Sequence, residues 1–120
     1  MMKVLILVLY LLVLVGCSSA TPKHNERYYQ TKLCNSLDGE MEVVLEDKTR
    51  VDCLTDEYAI EVDFAKKWAE SVGQSLYYGH MTNKAPAIAL IVKKDKDERY
   101  LKRVKVLTDK YGIKLFVIDK

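Results

Sequence analysis

Asp52, in Arg50-Val51-Asp52, and the pair Glu61 and Asp63, in Glu61-Val62-Asp63, are the residues of this chain whose types and spacing suit catalysis on oxygen. Residues two apart on a strand share a face, so Glu61 and Asp63 project together while Ile60, Val62 and Phe64 enter the opposite layer. A neighbouring hairpin strand can set Asp52 beside them. Two or three gathered carboxylates with open positions suit a hard divalent cation, Mg²⁺ or Mn²⁺. Such an ion neutralises phosphate charge and lowers the pKa of a bound water. Competing chemistries lack their residues. The chain has no glycine-rich phosphate loop, and its two histidines, His24 and His80, stand at neither zinc nor triad spacing.

The scaffold for these groups reads from periodicity and turn signals. Asn25 to Leu37 predicts a helix, with Tyr29, Leu33 and Leu37 four apart and Asn25 as its cap; Asp38-Gly39 closes it. The runs Glu40–Leu45, Thr49–Leu54 and Tyr58–Asp63 are strands, and the connections between them are too short for anything but antiparallel hairpins. From Ala65 to about Met81 the spacing of Trp68, Val72 and Leu76 is helical, and Asn83 to Pro86 predicts a loop. Ala87–Val92 has no polar position, which suits a central strand covered on both faces. Asp95–Tyr111 is a helix with Tyr100, Val104, Leu107 and Tyr111 on one stripe and Gly112 at its end; Ile113–Ile118 is the last strand. The fold class is α/β with an α+β mixed sheet: helix, three-stranded antiparallel meander, helix, strand, helix, strand, with helices on both sides.

The N-terminus is set apart from this domain. A short positive region ends at Lys3, and the apolar run Val4–Val15 falls short of the roughly 20 residues a membrane-crossing helix needs, so it reads as an export signal. Leu14-Val15-Gly16-Cys17 looks like the lipobox of bacterial lipoproteins, which implies cleavage after residue 16 and lipidation of Cys17. The expected organisation is a signal peptide over 1–16, lipidated Cys and tether over 17–24, and a single domain over 25–120. By the same resemblance Ser18 implies the outer membrane, facing the periplasm. Removing residues 1–16 takes away only Lys3 among the charged groups, which leaves 17 acids nearly balanced and no net charge favouring nucleic acid. Cys34 and Cys53 form an even pair in an oxidising compartment, most simply a disulfide; two buried free thiols are the competing reading.

This order of elements, with its acids where they fall, resembles the restriction-endonuclease-like, or PD-(D/E)XK, nuclease superfamily. That resemblance implies a core of helix, three antiparallel strands, helix and strand, with a metal-binding Asp on the second strand and a (D/E)-x-K triplet on the third. Asp52 matches the first motif, and Glu61-Val62-Asp63 matches the second in its Glu but carries Asp63 where the family has Lys. Gln74-Ser75-Leu76-Tyr77-Tyr78 matches the Gln-x-x-x-Tyr motif of the RecB-like branch. The implied metal ligands are Asp52, Glu61 and Asp63. An acid of the first helix, Glu26, completes the set, with Glu40 or Glu42 as substitutes. Lys66 or Lys67 can reach back from the helix start to supply the missing cation.

Lys67, Ser71, Gln74 and Tyr78 also form a polar stripe on the second helix, away from the Trp68 face, as either a solvated surface or the lining of a substrate groove. Tyr77 and Tyr78 have the rings to stack on bases. Two function classes follow. One is a lipid-anchored, metal-dependent phosphodiesterase or nuclease acting on nucleic acid at the envelope. The other is a catalytically inactive relative that binds an envelope or phage-related protein partner.

Overall fold

A computed structural model describes residues 23–120; the leader and Cys17 lie outside the described residues. The element order is α1 (Glu26–Ser36), β1 (Glu40–Val44), β2 (Arg50–Leu54), β3 (Tyr58–Phe64), a 3₁₀ turn (Ala65–Lys67), α2 (Trp68–Thr82), β4 (Ala85–Val92), α3 (Lys94–Tyr111) and β5 (Lys114–Asp119). One five-stranded mixed sheet runs β1-β2-β3-β4-β5, antiparallel through β3 and parallel from β3 to β5. Among the described residues no helix is long and apolar enough to cross a membrane.

Local signals set most boundaries. The Asn25 side chain accepts from the Tyr28 N–H at 3.0 Å and caps α1 as its residue type demands. Asp38 at φ 52° and Gly112 at φ 64° supply left-handed turns after α1 and α3. Two ends differ from the sequence reading. Residues 65–67 form a tight 3₁₀ turn before α2, consistent with the absence of a side-chain cap there. β4 begins at Ala85 and absorbs Pro86, placed in a loop by its type. Pro is tolerated near a strand's first residue, and the Ala85 N–H already anchors the strand by donating to Glu57 O at 3.0 Å.

The sheet is covered on both faces. On one, Ile60, Val62, Ala87, Ala89 and Ile91 pack under α1, with Tyr29 and Leu33 above them. On the other, Ile88, Leu90 and Val92 pack against Trp68, Val72 and Leu76 of α2 and Val104 of α3. β4 thus alternates between two cores along an uninterrupted apolar run. Tyr111 departs from the stripe predicted for α3: it is 55% exposed, and Thr108, one turn earlier, takes the buried position at 4%.

Cys34 and Cys53 are joined by a disulfide with a Cα–Cα distance of 5.7 Å, tying α1 to β2 across a separation of 19 residues. A bond closing a loop of that length contributes about 3 kcal/mol in the chain-entropy model. Gly39 is the small residue that admits it, because a Cβ there would stand 2.6 Å from Cys53 Sγ and 2.7 Å from Cys34 Sγ. Denaturant unfolding with and without reductant is therefore expected to show a loss of about 3 kcal/mol on reduction. Gly39→Ala should destabilise the oxidised chain by about 1–3 kcal/mol. Identical midpoints in all three states would show that the bond does not hold α1 to the sheet.

Candidate functional site

The site is built where β2 and β3 part. Their backbones pair at Cys53↔Ile60 and Leu54↔Ala59 and no further along the chain towards Asp52. The Asp52 Oδ2 instead accepts the Val62 N–H at 2.8 Å, so a side chain bridges a gap that a ladder bond would have closed. Alternation along β2 breaks at the same residue: Val51 packs beside Tyr78 on the α2 side, while Cys53 reaches α1 through the disulfide. On β1, Glu42, opposite Asp52, adopts φ 57°, a left-handed conformation that a non-glycine residue takes at a cost of about 1–3 kcal/mol. Gln30 of α1, only 3% exposed, closes the arrangement. Its Nε2 donates to Asp52 O at 2.8 Å and to Glu42 Oε1 at 3.0 Å.

Four carboxyl groups meet in this fork. Glu61 is 4% and Asp63 6% exposed, on the α2 side of β3; Asp52 enters from β2 and Glu26 from the first turn of α1. Burial first, then the charges of Asp52 and Asp63, push Glu61 far above the usual carboxyl range, and it shares a side-chain hydrogen bond with Asp52. Asp52 is raised by its own burial, opposed by the Val62 N–H and reinforced by Asp63 and Glu42. Burial and then the nearby charges of Asp63 and Asp52 bring Glu26 to about 7. Asp63 is raised by burial against the lowering pull of Ser71 and Lys67. The Ser71 hydroxyl donates to Asp63 Oδ2 at 2.6 Å. Glu61 Oε1 is buried with no donor partner.

The residues picked out from the sequence divide accordingly. Asp52, Glu61, Asp63 and Glu26 are brought together, and Glu42 acts on Asp52 and Glu26 from beside them. Glu40 is exposed at the outer strand. Lys66 and Lys67 are both exposed at the 3₁₀ turn, and it is the charge of Lys67 that bears on Glu26 and Asp63. The polar stripe of α2 divides: Lys67 is exposed and Gln74 half-buried, while Ser71 is fully buried and Tyr78 is 7% exposed. Tyr78 packs on Val51 and Ala59 with its phenol raised by burial and by the Glu61 charge, so it is part of the site's wall and not a base-stacking platform. Tyr77 is exposed and hydrogen-bonds Asp47 at the β1–β2 hairpin.

Gln30 was not singled out from sequence, yet a signal for it exists. Glu26, Gln30 and Cys34 recur at steps of four, which places them on one face of α1. Once Cys34 is bonded to Cys53, that face must overlie β2 and its neighbour Asp52.

The donor set tests whether a cation fits. All the candidate ligands are hard oxygens, burial and like charge act on each of them, and one buried carboxylate oxygen has no partner. Among the described residues no group of three His, Cys, Asp or Glu side chains is arranged to hold a metal ion. Mg²⁺ commonly takes one or two protein carboxylates and completes its shell with water and substrate phosphate. The Asp52–Glu61 pair satisfies that requirement. Compared with known proteins, the chain matches no family model, no curated protein and no solved structure.

The raised carboxyls fix the sign of a pH dependence. A group raised in the folded state binds its proton more tightly there than in the unfolded chain. Its stabilising contribution is complete below the ordinary carboxyl range and is lost as pH rises through the folded value. Glu61→Gln, which keeps the shape without the charge, is therefore expected to be more stable than wild type at pH 8 by on the order of 1–3 kcal/mol, and so to melt at higher temperature, with the gap closing at pH 4. Parallel melting curves at both pH values would show that Glu61 carries no buried proton.

Proposed function

We propose that the chain is a lipid-anchored envelope protein with a PD-(D/E)XK nuclease-like domain that hydrolyses phosphodiester bonds in a metal-dependent manner. The observation that carries the reading is Glu61 Oε1, buried and without a donor, in a cluster of acids contributed by α1, β2 and β3. Asp52 and Glu61 would hold Mg²⁺ or Mn²⁺, with Asp63 and Glu26 in support. An ion there supplies charge neutralisation at the phosphate and a more acidic bound water.

The chain's own groups supply the rest. Gln30 holds the Asp52 backbone by donating to its carbonyl, and the Val62 N–H fixes the Asp52 carboxylate. Ser71 does the same for Asp63. Lys67 brings positive charge to Glu26 and Asp63, the role the family's motif Lys plays, because Asp63 occupies that Lys position here. Glu26, with its pKa near 7, is poised to take a proton from a water at neutral pH. Cys17, outside the described residues, would carry the lipid that places the domain at the periplasmic face of the outer membrane.

Asp63 in place of the motif Lys favours the second reading, an inactive nuclease-fold lipoprotein that binds an envelope partner. Cleavage decides between them. Full-length chain purified in non-ionic detergent, incubated with supercoiled DNA or with RNA and Mg²⁺ or Mn²⁺, is expected to nick the substrate. Asp52→Ala and Glu61→Ala should each reduce the rate by at least about 100-fold. Equal cutting by both variants, or no cutting by wild type with either ion, would leave only the binding protein.

A further inference from the structure

A basic cleft borders the carboxyl cluster. Where the C-terminal ends of β4 and β5 meet the start of α1, a cavity of about 370 Å³ is lined by Lys23, Lys93, Lys96 and Lys120, with Asp97 as the one acidic side chain in its lining. That carboxylate is turned onto the backbone, its Oδ2 accepting from the Lys93 N–H at 2.8 Å. Among the described residues none of the four lysines forms a salt bridge. Lys120 rests its ammonium over the Phe64 ring, and with no salt bridge to answer them the four side chains present positive charge to an incoming anion.

The rim is held by regular structure. Lys93 directly follows β4, and the Lys120 N–H donates to Val92 O at 2.9 Å, continuing the β4–β5 ladder. The 18-residue helix α3 begins at Lys94 and contributes the positive end of its dipole. In open sheets, ligand crevices lie outside the carboxyl ends of parallel strands, and β3, β4 and β5 all end here.

One aromatic wall divides the cleft from the acids. Tyr29 lines the cleft, and its ring meets that of Phe64 edge-on with centroids 6.3 Å apart. The Lys120 Nζ lies 5.0 Å from the Phe64 ring centroid. Phe64 follows Asp63 in β3, and Lys23 and His24 lie just ahead of Glu26, so both sites share the same two chain segments.

We propose that this cleft binds the phosphate backbone of a nucleic-acid strand, next to the phosphate that reacts at the carboxyl cluster. The inference rests on the phosphodiester reading above and adds a binding site for the strand beyond the reacting phosphate. A strand crossing the acids alone would be repelled, and a nearly neutral domain offers no long-range attraction. Four lysines beside the acids provide the compensating charge where the strand continues. A lipid headgroup would engage the cleft but gives no reason for it to adjoin the acids.

Binding can be separated from cutting. The full-length chain in non-ionic detergent with EDTA is mixed with a fluorescent single-stranded oligonucleotide, and anisotropy is followed across a salt series. All four lysines are exposed, so charge reversal leaves the packing intact. Lys93→Glu combined with Lys96→Glu is expected to weaken binding by about tenfold or more and to make the salt slope shallower by about 0.7 for each phosphate no longer engaged. Asp52→Ala should bind at least as tightly as wild type. Wild-type affinity in the charge-reversed protein would overturn the proposal. So would a wild-type chain that ignores the oligonucleotide yet prefers phosphatidylglycerol to phosphatidylcholine vesicles through Lys93 and Lys96. Lysine-dependent binding without metal-dependent cleavage would keep the cleft and remove the catalytic reading. Cleavage at unchanged KM in the charge-reversed protein would remove the cleft and keep catalysis.

Discussion

At Asp52 the second strand stops pairing with the third through its backbone and continues through its side chain, whose Oδ2 takes the Val62 N–H. The parting of the two strands opens a fork that reaches both layers of the fold. Through it an acid on α1 meets acids that face α2. The arrangement is costly, since it buries carboxyl groups beside one another and holds Glu42 at a positive φ. Stability must come from elsewhere. It is found in the all-apolar β4, shared by two cores, and in the disulfide that clamps α1 over β2 one residue from the fork.

Regular structure was legible in the sequence wherever periodicity and punctuation agreed. The Asn25 cap, the short hairpin connections and the apolar run of β4 each had one reading, and the fold follows it. Ends without a chemical marker were less legible, as at the uncapped start of α2 and at Pro86, whose missing donor does not matter so early in a strand. Tyr111 illustrates another limit: a stripe extended to the last turn of a helix continues past the edge of the sheet it packs on.

At the candidate site, face alternation correctly placed Glu61 and Asp63 together, and the resemblance grouped them with Asp52 and Glu26, as the fold does. The left-handed Glu42 was hidden because it answers to a break in strand alternation that no residue type marks, and the face of α1 that carries Gln30 is placed only once the disulfide sets it over β2. The charge of Lys67 bears on the acids, and both Lys66 and Lys67 lie in a 3₁₀ turn where a regular helix was expected. Burial and the neighbouring charges of Asp52 and Asp63 favour a proton on Glu61, where the proposal puts a cation. The same burial that holds that proton would strengthen any charge interaction made in its stead. The basic cleft completes this picture with an acidic centre and a cationic continuation side by side.

If a divalent ion and a proton compete for the Asp52–Glu61 pair, binding the ion must release the proton. Titration calorimetry with Mn²⁺ at neutral pH, repeated in two buffers of different ionisation heat, reads that exchange directly. The account predicts saturable binding with release of about one proton, and loss of both in Glu61→Gln. Saturable binding without proton release, or no binding at all, would contradict it.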